Sequence, residues 1–140
     1  SALELFKNNK INMHNLIIDA AAQKIFLTLI TNKNIYTCQH ENSKKNFEKM
    51  IIHVNEFLDI NKVSLDMLEK IYVNRGPGSF AGIRNSLSIV KSLHLSKNID
   101  YYCFSFDDFG KSNKTEYKDV PNLCDKFKLK KNLINPIYLS

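Results

Sequence analysis

The run Gly76-Pro77-Gly78-Ser79-Phe80-Ala81-Gly82-Ile83-Arg84 gathers the residue types that could hold a ligand or turn the chain sharply. Glycine permits backbone angles that a β-carbon forbids, and proline fixes its own φ. The run lies between the apolar residues Ile71, Tyr72 and Val73 and a long helical pattern, so it carries the chain from a strand into a helix. Ser79 is placed to cap that helix, and the free N–H groups of the first turn would then form a positive site for an anion. The run is neither G-x-x-x-x-G-K-S/T nor G-x-G-x-x-G. It is not the G-x-S-x-G elbow either, because Ser79 follows Gly78 directly, and no His–Asp relay is spaced to activate that serine. A tight strand-to-helix connection also needs glycines and a cap, and that reading stays open beside the anion site.

Other reactive residues form no pattern. His14, His40, His53 and His94 show neither H-x-x-x-H nor H-E-x-x-H spacing. Cys38, Cys103 and Cys124 are odd in number and far apart, without a C-x-x-C pair. They indicate neither a zinc site nor a disulfide framework. No pair of acids stands out as a general acid and base. Asp107 and Asp108 are adjacent and suit the start of a helix, where negative charge meets the positive end of the dipole. The expectation is no catalytic residue, no metal and no cofactor.

The elements that would position the 76–84 run can be read from periodicity. Residues 15–21 read as a buried strand, 24–31 as a second and 35–39 as a third, with short links that imply an antiparallel meander. From Ser43, a plausible cap, Phe47, Met50, Ile51, Val54, Phe57 and Leu58 recur at helical spacing, to an end near residues 59–61. Residues 70–74 form a fourth strand, 79–96 a long helix and 99–105 a fifth strand. The expected fold class is α/β: a mixed five-stranded sheet with packed helices. Residues 110–122 read as a loop or linker, 123–133 as a short basic helix and 135–139 as a terminal extended segment. The domain reading is an extension over 1–14, one domain over 15–109, and a linker with a short basic tail over 110–140.

The long helix carries two neighbouring apolar stripes. Phe80, Ile83, Leu87 and Val90 form the core stripe; Ser86, Ile89 and Leu93 lie beside it. Together they cover about half the wheel, wider than the single face a surface helix needs. The second stripe would meet either the first helix or another protein.

The bulk properties are compatible with this picture. Of 140 residues, 44% are hydrophobic, enough for a core at this length. No stretch approaches the roughly 20 apolar residues of a membrane helix, and the start lacks the basic-then-apolar order of a signal peptide; the expected location is the cytoplasm, with no membrane contact. The net charge of +6 could attract RNA or an acidic partner, although only residues 126–131 cluster lysine locally.

The 76–84 run resembles the G-P-G-S-F-T-G-L-R signature of the TsaB (YeaZ) family and, more loosely, the TsaD group. Leu16-Ile17-Ile18-Asp19-Ala20-Ala21 is similar to the family's first strand, which ends in D-T-S or similar, and Pro136-Ile137-Tyr138-Leu139 resembles its closing P-x-Y-L-R. The resemblance implies a ribonuclease-H-like layer of the actin and sugar-kinase superfamily. It implies a non-catalytic scaffold role beside a TsaD-type subunit, which holds the metal and transfers the threonylcarbamoyl group to adenosine in tRNA. A TsaE-type ATPase would join through the complex, and tRNA would be met indirectly. The interface and signature-loop residues are then Gly76, Pro77, Gly78, Ser79, Phe80, Gly82, Arg84, Ser86, Ile89 and Leu93. Three departures bear on this. Ala81 stands where the signature has threonine, Ala20 and Ala21 lack the hydroxyls of the first turn, and little chain remains for the family's second domain. The lost hydroxyls argue against nucleotide binding. Rival readings are a homodimeric interaction module, an RNA-binding helper using the lysine tail, and a nucleotide-using phosphotransferase or peptidase relative.

Overall fold

The computed structural model describes residues 13–110 and 115–138. The expected extension over 1–14 therefore lies mostly outside the described residues, as does Leu139 of the closing segment.

Five strands form one sheet: β1 (Asn15–Asp19), β2 (Lys24–Ile30), β3 (Ile35–Glu41), β4 (Lys70–Asn74) and β5 (Asp100–Phe104). Their order is β3-β2-β1-β4-β5. β1, β2 and β3 pair antiparallel, as the short links require, whereas β4 and β5 run parallel to β1 after helical crossovers. β1 stops at Asp19, short of the expected Ala21, because the Asp19 carboxylate accepts the Ala21 N–H at 3.1 Å and bends the chain. β3 runs two residues further than expected, to Glu41, since Lys24 lies opposite Glu41 in the ladder and the two charges meet at 3.7 Å.

The helix expected from Ser43 forms in two pieces, α1 (Lys44–Glu48) and α2 (Met50–Ile60), joined at Lys49. Ser43 caps it as expected, its Oγ accepting the Asn46 N–H at 3.2 Å. α3 (Phe80–Lys97) follows the glycine run with Ser79 as its cap, and ends where Asn98 turns left-handed and donates its N–H to the His94 carbonyl.

Helices α1 to α3 cover one face of the sheet. Their core there includes Leu16, Ile18, Leu27, Met50, Val54, Ile83 and Val90, all buried. Burying each such side chain stabilises the fold by about 1.5–3 kcal/mol relative to exposure. The opposite face is covered too, which the sequence reading did not foresee. A 3-10 turn (Phe106–Phe109), a second (Tyr117–Asp119) and the short helix α4 (Val120–Lys126) lay Phe109, Val120 and Cys124 over Ile17, Tyr72 and Phe104. The short basic helix thus begins at Val120 and ends at Lys126, displaced from its expected 123–133. Pro121 sits in its first turn, where a missing N–H costs no helical bond. β1 is buried along its whole length, while β3, at the sheet edge, is exposed or half-buried throughout.

Candidate functional site: the glycine loop and the helix groove

The loop after β4 packs on the turn after β1. Ser79 N–H donates to the Ala21 carbonyl at 2.8 Å, and the backbones come so close that a β-carbon on Gly78 would strike that same oxygen. A β-carbon on Gly82, one helical turn later, would strike the Ala20 carbonyl. Gly76 has φ +108°, and its α-carbon faces the Ile137 carbonyl and the Ile83 side chain. All three glycines of the run are thus explained by close backbone packing. The expected anion site loses donors to the same packing, because the Ser79 N–H is taken by Ala21 and the Gly82 N–H by Ser79 Oγ at 3.2 Å.

Asp19 ends β1 beside this loop and is buried. One carboxylate oxygen accepts the Ala21 N–H; the other accepts the Tyr117 hydroxyl at 2.6 Å. The Tyr117 pKa is raised by burial first and by the adjacent carboxylate second, so the phenol stays a donor. Sequence reasoning missed this contact, for nothing local ties residue 117 to residue 19.

It also missed Arg75, which immediately precedes the run. Its guanidinium grips Asp108 through two bonds of 2.7 and 3.3 Å and donates to the Asn135 carbonyl at 3.0 Å. Its own carbonyl accepts the Ile137 N–H at 2.7 Å. Asp108 is held in turn as the capping acid of the 3-10 turn at Phe106–Phe109, where it accepts the Ser105 N–H at 2.8 Å. The closing segment is thereby strapped across the loop, and Tyr138 meets the Phe80 ring at 4.7 Å between centroids. Arg84 lies over the other partner of that pair, 5.8 Å from the Phe80 ring.

The named positions divide between interior and surface. Phe80, assigned to the core stripe, is 53% exposed. It is the first helical residue, and side chains tilt toward the helix N-terminus, which carries this one past the sheet. Ser86, assigned to the outward stripe, is fully buried, and its hydroxyl donates back to the Gly82 and Ile83 carbonyls at 2.8 and 3.0 Å. Leu93 is buried as well. Ile89 is only partly covered. It lines a groove of about 350 Å³ between α3 and the α1–α2 pair, with Phe47, Ile51, Asn85, Ser88 and Leu93 among its walls.

The remaining reactive groups are occupied or shielded. Burial pushes the Cys38 thiol up to about 11 and the Cys103 and Cys124 thiols to about 12, so all three stay protonated at neutral pH. His94 Nδ1 contacts the Ile99 carbonyl at 3.0 Å. His40 and His53, far apart in sequence, stack with centroids 3.8 Å apart. Among the described residues no set of three or more His, Cys, Asp or Glu side chains is arranged to hold a metal ion, and no helix is long and apolar enough to cross a membrane.

No protein-family model matches the chain. Two curated proteins do, both called tRNA threonylcarbamoyladenosine biosynthesis protein TsaB. That of Buchnera aphidicola subsp. Schizaphis graminum is 30% identical over 90 residues, 64% of this chain and 43% of its own length. That of Buchnera aphidicola subsp. Baizongia pistaciae is 27% identical over 86 residues, 61% of this chain and 39% of its own. This chain is similar to TsaB. It spans about two fifths of the length of those TsaB relatives. Among solved structures, YeaZ from Pseudomonas aeruginosa superposes with a TM-score of 0.62 at 20% identity, over 66% of this chain and 44% of that one. RuvC of Thermus thermophilus superposes with a TM-score of 0.50 at 13% identity, over 84% and 82%. The mixed five-stranded sheet with its meander is accordingly ribonuclease-H-like, as the TsaB resemblance implied.

Proposed function

We propose that this chain acts in threonylcarbamoyladenosine biosynthesis as a non-catalytic scaffold that binds a TsaD-type transferase through its helix layer. The groove between α3 and the α1–α2 pair carries this reading. It leaves Ile89, Phe47 and Ile51 in reach of another helix, on a chain similar to TsaB. A non-catalytic role is supported by the internal use of the groups at the head of the sheet. Both Asp19 oxygens are hydrogen-bonded within the chain, and the glycine loop fills the space above Ala20 and Ala21. A TsaE-type ATPase and tRNA would be engaged through the transferase complex. Residues 15–109 form the scaffold unit in this reading, and residues after 110 serve as its cover.

Co-expression with the TsaD-type protein of the same organism tests the proposal. Co-purification of the two in a stable ratio is the expected result. A chain that stays alone, or that light scattering shows pairing only with itself, overturns the scaffold reading in favour of a homodimeric module. ATP turnover by the pure chain, abolished by Asp19→Ala, would show that it is an enzyme instead.

A further inference from the structure

The seam between β3 and the α1–α2 pair is held by a polar chain that runs from Glu41 through Asn46 to His53. Asn46 Nδ2 donates to the Glu41 carbonyl at 2.8 Å, which fixes the orientation of the amide. Asn46 Oδ1 therefore faces His53 Nε2 at 3.1 Å and must accept from it. The proton of neutral His53 thus sits on Nε2, and Nδ1 is the bare nitrogen. That Nδ1 atom is buried and has no hydrogen-bond partner among the described residues. The flat face of the same ring lies against His40, with 20° between the ring planes. A proton added to His53 would place a buried N–H without an acceptor, and a cation stacked on a second imidazole.

We propose that the Glu41–Asn46–His53–His40 assembly is an acid-sensitive latch, which holds α1 and α2 against β3 while His53 is neutral and loosens that seam when it takes a proton. The surroundings are consistent with this. From β3, Cys38 Sγ lies 3.9 Å from His40 Nε2, and burial keeps the thiol protonated. From the α1–α2 junction and from α2 come Lys49, which opposes a charge on His53, and Glu56, which favours one. The pKa of His53 is held below the usual 6.5, by burial first and by His40 second. A histidine whose folded pKa is depressed contributes stability that is complete above the unfolded value of 6.5 and is lost as pH falls through the folded value. α1 and α2 supply Phe47, Glu48 and Ile51 to the groove wall, so the latch sets whether the groove is formed. This holds whatever occupies the groove.

The test is an imidazole titration of the full chain by NMR from about pH 7.5 to about pH 5, with amide exchange recorded in parallel. His53 should titrate below 6.5, and the amides of α1 and α2 should lose protection over that same range, ahead of those of β1 and β4. His40→Gln should raise the His53 midpoint, because the stacked imidazole that opposes a proton on His53 is removed. His53→Gln keeps a donor for Asn46 Oδ1 but cannot titrate, and should make protection of α1 and α2 independent of pH in this range. A His53 midpoint at or above 6.5 would overturn the proposal. So would acid loss of α1 and α2 protection that persists undiminished in His53→Gln. Should His53→Gln fail to fold, the wild-type titration and His40→Gln still decide the matter.

Discussion

The backbone contact at Gly82 admits no side chain, because the Ala20 carbonyl occupies the place of a β-carbon. Gly82→Ala should therefore destabilise the chain by about 1–3 kcal/mol, the usual cost of forcing atoms into a packed site. Urea unfolding would measure it, and a stability unchanged or raised by alanine's helix propensity would show that the two turns move apart freely. Tyr117 offers a second test at the same scale. Tyr117→Phe leaves one Asp19 oxygen without its protein donor in a buried site, at an expected cost of about 1–3 kcal/mol. The pH dependence has a defined sign. A tyrosine whose folded pKa is raised contributes stability that is complete below the unfolded value of 10 and is lost as pH rises through the folded value. Alkaline unfolding of the wild type should begin above pH 10, with Tyr72, raised mainly by its burial, contributing in the same direction. In Tyr117→Phe the loss above pH 10 should be smaller. An identical alkaline profile in both proteins would rule out the Tyr117–Asp19 bond in solution.

At the scale of the element, α3 is asked to do two things with adjacent faces. Leu87 points into the core and is 4% exposed, while Ile89 borders the groove and is only partly covered. Leu87→Asp should unfold the chain, because an unpaired charge in that core has neither partner nor water. Ile89→Asp should fold, with an unchanged circular dichroism spectrum, and weaken binding of the TsaD-type partner by about 2 kcal/mol or more, roughly thirtyfold. If Ile89→Asp unfolds the chain as thoroughly as Leu87→Asp, the groove wall is internal core and α3 is not an interface. Normal binding by a folded Ile89→Asp would place the contact on another element. Ser86 takes no part in this comparison. Its buried hydroxyl serves its own helix, and the outward stripe narrows to Ile89 with Asn85, Ser88 and Ser92 around it.

For the molecule as a whole, the sheet has two covered faces, and the second cover comes from the Phe106–Phe109 turn together with residues after 115. Ile17, Tyr72 and Phe104 are buried beneath Phe109, Val120 and Cys124. A chain ending at Gly110 should expose that aromatic face. The expected signs are increased binding of an apolar dye, a lower urea midpoint and a tendency to aggregate. Equal stability and no dye binding would show that the cover is dispensable. Asn132, just ahead of the closing segment, adds a tie at the edge of the sheet. Asn132 donates its N–H to the Tyr101 carbonyl at 2.7 Å, and its side chain accepts the Tyr101 N–H at 2.9 Å. The outer edge of β5 is thereby occupied, as an edge strand requires if it is not to pair with other chains.

What the sequence by itself determined is what depends on short-range periodicity and turn chemistry. Short apolar or alternating runs bounded by turn residues marked five strands, helical spacing marked Met50, Val54, Leu58, Ile83 and Val90 as core, and Ser43 and Ser79 were legible as caps, because each such signal acts within a few residues. The meander followed from links too short for anything but antiparallel neighbours, and the 76–84 run was legible as a strand-to-helix turn of TsaB type. Only the tertiary structure decided what that turn is packed against. Its glycines answer to carbonyls at Ala20, Ala21 and Ile137, far away in the chain, and its flank is clamped through Arg75 to Asp108 and Asn135. The Asp19–Tyr117 bond spans 98 residues, and the His40–His53 stack joins a strand to a helix. Ser86 and Phe80 changed places between surface and core for the same reason. A helical wheel gives the direction of a side chain, but the end of the sheet and the neighbouring backbone decide whether anything stands there to bury it.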